Sequence, residues 1–241
     1  TAITASGTLR FTPARNANGE AIVAVVLEDT GGTLLGGVKR SPVQIFVVLA
    51  GAVNDPPRFG IGPRQTVRED AGPQVATNWV TKILAGPTNE NWQEVTFIVT
   101  NSNPRLFTAN GQPKVSPTGT LTYTPAPDAF GVATLNVRLR DDGGLASGGV
   151  EASAAQTAQI EVKSVNDLPS FSLSTNVLTA VEDAPLRRIT NFVTNIRAGP
   201  TNEAGQSLTF VVVTNSNRAL FAATVPLAID YAGTLSFLPA S

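Results

Sequence analysis

The side chains that could do chemistry in this chain are almost all carboxylates and amides. The sequence contains no His and no Cys, which excludes Ser-His-Asp, Cys-His and His-ligated metal catalysis. A pair of carboxylates can hydrolyse a glycosidic bond without either residue. The acidic residues here, however, recur at a fixed interval and fall near the ends of the repeating unit. There is also no Gly-rich phosphate-binding loop. We therefore expect a non-catalytic protein.

Three strings that contain these polar residues recur after 112 or 113 residues. Val53–Asp55 returns as Val165–Asp167, Glu69–Ala71 as Glu182–Ala184, and Ala85–Glu90 as Ala198–Glu203. An apolar string follows the same period, with Gly7–Pro13 returning as Gly119–Pro125 and again as Gly233–Pro239. This period is longer than the roughly 20 to 50 residues of solenoid repeats and close to the roughly 100 residues of a β-sandwich domain.

The period divides the chain into three repeats. We expect the first repeat, 1–55, to be the C-terminal part of a domain. The middle repeat, 56–167, is complete, and the third repeat, 168–241, is the N-terminal part of another domain. We therefore expect the chain to be an excerpt from a longer array.

The elements that must position the acidic residues are short β-strands. Alternation of apolar and polar residues predicts strands at 121–124, 133–139 and 159–163. The segment 95–99 and its copy 208–213 are also predicted to be strands in the core. Gly, Pro, Asn and Asp separate these runs, and helical periodicity is weak. The sequence predicts an all-β fold of tandem Greek-key β-sandwich domains arranged end to end.

The polar strings carry a family resemblance that extends over the whole chain. Val53–Phe59 and Val165–Phe171 resemble the linker between cadherin repeats, in which Asn-Asp precedes a Pro and an aromatic residue. Glu69–Gly72 resembles the Glu-containing motif of the first cadherin strand, and Asp141–Gly144 resembles the turn between the last two strands. The chain is most similar to bacterial cadherin-like and immunoglobulin-like tandem repeats of large surface or secreted adhesins.

The resemblance implies Ca²⁺ at the junctions between repeats. One junction would use Asn54 and Asp55 with Asp141 or Asp142, and the next would use Glu69, Asn166 and Asp167 with ligands from the third repeat. Glu182 is the copy of Glu69, and Asn89-Glu90 and their copies Asn202-Glu203 are secondary candidates. Ca²⁺ takes six to eight oxygen ligands, and it offsets the repulsion between carboxylates held close together.

Each of these motifs also has a purely structural interpretation. Asp141–Gly144 can be a tight hairpin turn, and Asn54–Pro57 a stiff linker. Glu69 and Glu182 can face solvent on a strand, and the loop at Asn89-Glu90 can be solvated. Among the aromatic residues, we expect Trp79 to pack in the core. Trp92 has no counterpart in the third repeat and is a candidate for a specific contact.

Composition narrows the function further. The chain has 17 basic and 18 acidic residues and a net charge of −1, which does not favour a nucleic-acid partner. No apolar run is long enough to insert into a membrane. We expect an extracellular or cell-surface structural and adhesive spacer. Its partners would be the neighbouring repeats of the same chain, with a homotypic or cell-surface ligand possible. The alternatives are a carbohydrate- or protein-binding module and the subunit of a homopolymeric extracellular fibre.

Overall fold

The computed structural model describes residues 2–4 and 6–240. Every regular secondary-structure element in these residues is a β-strand or a short 3-10 helix. The expected all-β fold is confirmed.

The strands of the first repeat are β1 (Ala2–Ile3), β2 (Leu9–Arg10), β3 (Gly19–Val25) and β4 (Gln44–Ala50). Those of the middle repeat are β5 (Arg58–Gly60), β6 (Gln65–Arg68), β7 (Gln74–Ala76), β8 (Thr81–Leu84), β9 (Val95–Asn101), β10 (Lys114–Val115), β11 (Leu121–Tyr123), β12 (Gly131–Asp141) and β13 (Gln156–Lys163). Those of the third repeat are β14 (Ser170–Leu173), β15 (Arg187–Ile189), β16 (Val193–Arg197), β17 (Ala228–Ile229) and β18 (Leu235–Phe237).

Short 3-10 helices lie in the connections between strands. They span Leu34–Gly36, Thr88–Glu90, Pro104–Leu106, Ala109–Gly111, Ala146–Gly148, Thr201–Glu203 and Arg218–Leu220. Among the described residues, no helix is both long enough and apolar enough to cross a lipid bilayer.

The middle repeat is a sandwich around one core. One sheet has the order β6-β13-β12-β9, a second has the order β10-β11-β7, and β5 pairs with β8. The long strands β12 and β13 are antiparallel, with Gly131 opposite Val162 and Val137 opposite Gln156. β13 runs parallel to β6. The two central strands of the large sheet therefore form a hairpin that is flanked by β6 on one side and β9 on the other.

Alternation along β12 explains the core. Leu135, Val137 and Leu139 are completely buried, and the polar residues between them face outward. Ile160 and Leu121 complete the same cluster from the neighbouring strand and from the opposite sheet. Trp79 is buried in this cluster as expected, and its indole N–H donates to the Pro63 carbonyl at 2.8 Å.

The third repeat reproduces only part of this pattern. β14 pairs with β16, and β18 lies between β15 and β17. The prediction of a strand at 208–213 is wrong, because these residues have no regular structure. Their counterpart β9 pairs with β12, and residues 168–240 contain no strand equivalent to β12. A β-strand needs a partner for its backbone N–H and C=O groups, and apolar alternation alone does not supply one.

Candidate metal centre

Glu69 lies at the end of β6, where the sheet of the middle repeat meets the linker to the third repeat. Its backbone N–H donates to the Lys163 carbonyl at 2.9 Å, which extends the parallel pairing of β6 with β13. The side chain is 3% exposed, and Oε1 accepts a hydrogen bond from the Val165 N–H at 2.7 Å. The Glu69 carboxylate thus fixes the first residues of the linker, and its second oxygen, Oε2, has no partner.

Two turns place further carboxylates beside Glu69. Asp70 and Asp128 both have left-handed backbone conformations, with φ of 59° and 55°. Asp and Asn tolerate this region better than other non-glycine residues. The Asp128 N–H donates to Asp70 Oδ1 at 3.1 Å, which joins the two turns. The linker residue Asp167 completes a group in which one carboxylate oxygen of each residue lies within 4.8 Å of the others.

The third repeat contributes Glu203 to the same junction. Glu203 ends the 3-10 helix Thr201–Glu203 and is 5% exposed. Its Oε1 accepts a hydrogen bond from the Asp167 N–H at 3.0 Å, and its Oε2 has no partner. A Cβ at Gly199 would overlap the Glu203 carboxylate, which explains why the loop begins with glycine.

The middle repeat has the equivalent contact at its own start. Glu90 is buried, and it accepts hydrogen bonds from the Asp55 N–H at 3.2 and 3.3 Å. A Cβ at Gly86 would likewise overlap the Glu90 carboxylate. The repeated Gly-Pro-Thr-Asn-Glu string is therefore a loop that holds a buried carboxylate against the linker Asp.

The junction between the middle and third repeats carries uncompensated negative charge. Partial burial, followed by repulsion from Glu203, Asp70, Asp128 and Glu69, raises the pKa of Asp167. One Asp167 oxygen, Oδ2, is buried without a hydrogen-bond partner. Within the described part of the chain, no Lys or Arg forms an ion pair with any of these five acidic residues. The arrangement therefore favours a bound cation.

The donor set fits a hard divalent cation. All five side chains offer carboxylate oxygens, which Ca²⁺ prefers, and Ca²⁺ accepts irregular geometry. Glu69, Asp70 and Asp128 come from one end of the middle repeat, Asp167 from the linker and Glu203 from the third repeat. An ion held by these groups would contact all three elements at once.

The structure brings together some of the predicted ligands of this junction. Glu69 and Asp167 lie at the same junction, and the secondary candidate Glu203 lies beside Asp167. Asn166 is exposed, accepts a hydrogen bond from the Gln206 amide at 3.0 Å and donates to the Asp167 carbonyl at 3.0 Å. Glu182 is exposed on the third repeat, outside the cluster.

Sequence reasoning missed Asp70 and Asp128 as members of the carboxylate cluster. Asp70 lies inside the repeated Glu-Asp-Ala string and was available as a candidate. Asp128 lies in a Pro-rich turn, and Asn16 stands at the corresponding position 112 residues earlier, with φ of 57°. The available sequence signal for Asp128 was an acidic residue at a repeat position whose counterpart, Asn16, is also a residue type that favours left-handed turns.

The polar residues predicted for the preceding junction are joined by hydrogen bonds. Asn54 Nδ2 donates to Asp141 Oδ1 at 2.9 Å and to the Val150 carbonyl at 2.8 Å. The Gln93 amide donates to Asn54 Oδ1 at 2.7 Å. Every polar atom of the buried Asn54 side chain is thus used in closing this end of the middle repeat.

Asp141 and Asp142 both act in the turn that follows β12. Asp141 Oδ1 accepts from the Gly143 N–H at 3.0 Å, and Asp142 Oδ1 accepts from the Glu94 N–H at 3.0 Å. These contacts close a tight turn at Asp141–Gly144, and the second oxygen of Asp141, Oδ2, is buried without a hydrogen-bond partner. Nearby, Trp92 is 75% exposed, and its indole N–H donates to the Asn89 carbonyl at 3.0 Å.

Comparison with known protein families gives a match within the middle repeat. Residues 54–161 match the family model described as a bacterial Ig domain. A search among curated proteins gives no match. Domains of the matched family are generally non-enzymatic and are often surface-exposed, so the match indicates a non-catalytic module of the surface or adhesive type. The middle repeat thus matches bacterial immunoglobulin-like domains, the class of repeat that its linker and turn motifs resemble.

Proposed function

We propose that this chain is a structural and adhesive spacer outside the cell, in which Ca²⁺ bound at the junction between the middle and third repeats fixes their orientation. The observation that carries the proposal is the meeting of the Asp70, Asp128 and Asp167 carboxylates at one junction, where Glu69 and Glu203 add further negative charge beside Asp167. The residues come from both repeats and from the linker, so a shared cation would stiffen the connection. A row of such junctions would make an extended rod that projects a binding domain.

The unpartnered oxygens support the proposal. Glu69 Oε2, Asp167 Oδ2 and Glu203 Oε2 are all buried without a hydrogen bond. An anionic oxygen deprived of both water and a protein donor is costly to bury. A cation bound beside Asp167 would offset the negative charge that these groups share.

The expected affinity is that of an extracellular module. Such sites bind Ca²⁺ with a Kd of about 10⁻⁴–10⁻³ M. At about 2 mM Ca²⁺, selective binding to the folded state then stabilises it by about 0.6–1.8 kcal/mol. For a domain of this size we expect a rise in Tm of about 2–8 °C.

Calorimetric titration and thermal melting test this proposal. We expect CaCl₂ to bind with millimolar or tighter affinity and to raise the Tm relative to excess chelator. The double variant Asp70→Asn, Asp128→Asn should lose both effects. The matched control is Asp183→Asn, because Asp183 is the exposed third-repeat copy of Asp70 and shares its left-handed conformation, with φ of 60°. Identical melting of the unmodified chain in calcium and in chelator would contradict a calcium-stiffened junction.

A further inference from the structure

The β3–β4 hairpin of the first repeat is apolar on both of its faces. On the inner face, Val23 and Val48 stand at the positions of the buried core residues Leu135 and Ile160 of the middle repeat. The residues that alternate with them form the outer face, which is also apolar: Ile22, Ala24, Val26, Ile45, Val47 and Leu49. Strands that are apolar on both faces are typical of a sheet that is covered on both sides.

The outer face is one continuous surface. In the register of the hairpin, Ile22 lies opposite Val47, and Ala24 lies opposite Ile45. Leu49 is 75% exposed, Ile22 is 70% exposed and Ile45 is 68% exposed. Together the side chains present roughly 600 Å² of apolar surface, which is at the upper end of the range of about 300–600 Å² for the largest patch of a monomer. A surface of this size marks a place where something binds.

The same face of the complete middle repeat is polar and open to solvent. The corresponding positions there are exposed or half-buried and hold Thr134, Asn136, Arg138, Thr157, Gln159 and Glu161. In that sandwich, β6 and β9 pair with the two edges of the β12–β13 hairpin, and the opposite sheet packs on its inner face. A first repeat of the same architecture leaves its outer face uncovered. The apolar residues of this face therefore do not belong to a sandwich core.

The two ends of the outer face carry opposite charge. Glu20 lies opposite Leu49 at one end, and among the described residues it forms no ion pair. At the other end, Lys39 and Arg40 share the carboxylate of Glu28, at 3.6 and 3.4 Å. One positive charge remains in excess at that end. The face is thus apolar along its middle, negative at one end and positive at the other.

We propose that the outer face of the first repeat binds the same face of a second copy of this chain. The two hairpins pack face to face, as the sheets of a sandwich do, and a two-fold axis that crosses the strands relates them. The strands of the two copies then run in opposite directions, and Glu20 of each copy meets Arg40 of the other. Strands running in the same direction would place Glu20 against Glu20, so the charges favour the antiparallel arrangement.

The area is sufficient for a specific contact. Two copies of the face bury about 1,200 Å² in total, which is the lower limit of the standard interface size. Because a two-fold contact uses the same surface on both copies, the assembly closes at two chains. Tandem arrays would therefore join side by side through their first repeats. This lateral contact does not depend on the calcium junction between the middle and third repeats.

Sedimentation velocity of the whole chain in excess chelator tests the pairing separately from calcium binding. We expect the weight-average mass to rise from that of one chain to that of two between about 1 and 100 µM, as expected for an interface of small area. A mass that stays at one chain over this range, or that passes two chains, contradicts the proposal.

A variant that carries the residues of the middle repeat removes the apolar surface. The triple variant Ile45→Thr, Val47→Gln, Leu49→Glu should stay a single chain at the highest concentration, and its circular dichroism should match that of the unmodified chain. The control Val211→Gln, Val213→Glu changes two valines of the third repeat that are 76% and 88% exposed, and it should pair like the unmodified chain. Pairing by the triple variant, or loss of pairing in the control, overturns the assignment to the outer face.

Two charge variants test the orientation of the copies without changing the apolar surface. Glu20→Lys and Arg40→Glu each place like charges at both ends of the contact, so each alone should weaken pairing about tenfold. An equimolar mixture should restore pairing, because every contact between the two variants joins opposite charges. A mixture that pairs no better than its components contradicts the antiparallel contact. Stronger pairing by Glu20→Lys alone would do the same, since it would show that Glu20 faces Glu20.

Discussion

Glu203 Oε1 accepts a 3.0 Å hydrogen bond from the backbone N–H of Asp167, and this contact ties the first loop of the third repeat to the linker. The contact also places the buried carboxylate of Glu203 next to the carboxylate of Asp167. One hydrogen bond from a backbone N–H does not offset the repulsion between these two negative charges. The same relationship joins Glu90 to Asp55 one repeat earlier. The repeated loop therefore serves two purposes, since it orders the linker and concentrates negative charge at the junction.

The glycine at the start of this loop is expected to be essential for its packing. In Gly86→Ala, the new Cβ overlaps the buried Glu90 carboxylate, whose backbone contact with Asp55 must then shift. We expect a loss of about 1–3 kcal/mol in the free energy of unfolding, as for other overpacked sites. Urea denaturation measures this loss. Gly51→Ala is the control, because no atom lies within 4 Å of its added Cβ, and it should change stability little.

Asn54 and Asn166 occupy the same position of the repeat but should respond differently to substitution. Asn54→Asp removes the amide that donates to Asp141 and Val150 and puts a second carboxylate 2.9 Å from the first. An unpaired charge in a buried site costs about 3–5 kcal/mol. Asn166 is exposed, so Asn166→Asp should change the free energy of unfolding by less than about 1 kcal/mol. Equal effects of the two substitutions in urea denaturation would contradict a structural role for the Asn54 network.

The contrast between these two asparagines shows what the sequence could and could not predict. The alternation along β12 predicted 133–139 of the observed strand 131–141, because burial on one face leaves a local pattern. The resemblance to cadherin linkers also implied that Glu69 and Asp167 belong to one junction. Asp128 was missed because its contact with Asp70 spans 58 residues and depends on two left-handed turns. The predicted strand at 208–213 is not formed, which shows that a strand depends on a pairing partner outside its own segment.

Substitution of Asp167 should have opposite effects in calcium and in chelator. In chelator, Asp167→Asn removes one charge from a cluster of carboxylates and should raise the Tm. In about 2 mM CaCl₂, the same change removes a ligand and should lower the Tm relative to the unmodified chain. Scanning calorimetry in the two buffers measures both differences. A variant that shifts the Tm in the same direction in both would show that Asp167 acts through packing and not through cation binding.

The pH dependence of that substitution provides a further test of the charge cluster. Partial burial and the neighbouring carboxylates raise the pKa of Asp167 above its ordinary value of 3.8, so the folded chain retains a proton that the unfolded chain releases. Stability contributed by this group is therefore complete below about 3.8 and is lost as the pH rises through the folded-state pKa. In chelator, the advantage of Asp167→Asn should be largest near pH 7 and should disappear as the pH falls towards 3.8. Melting curves of both proteins across this range measure the advantage. If it were constant with pH, repulsion among the ionised carboxylates would not be its source.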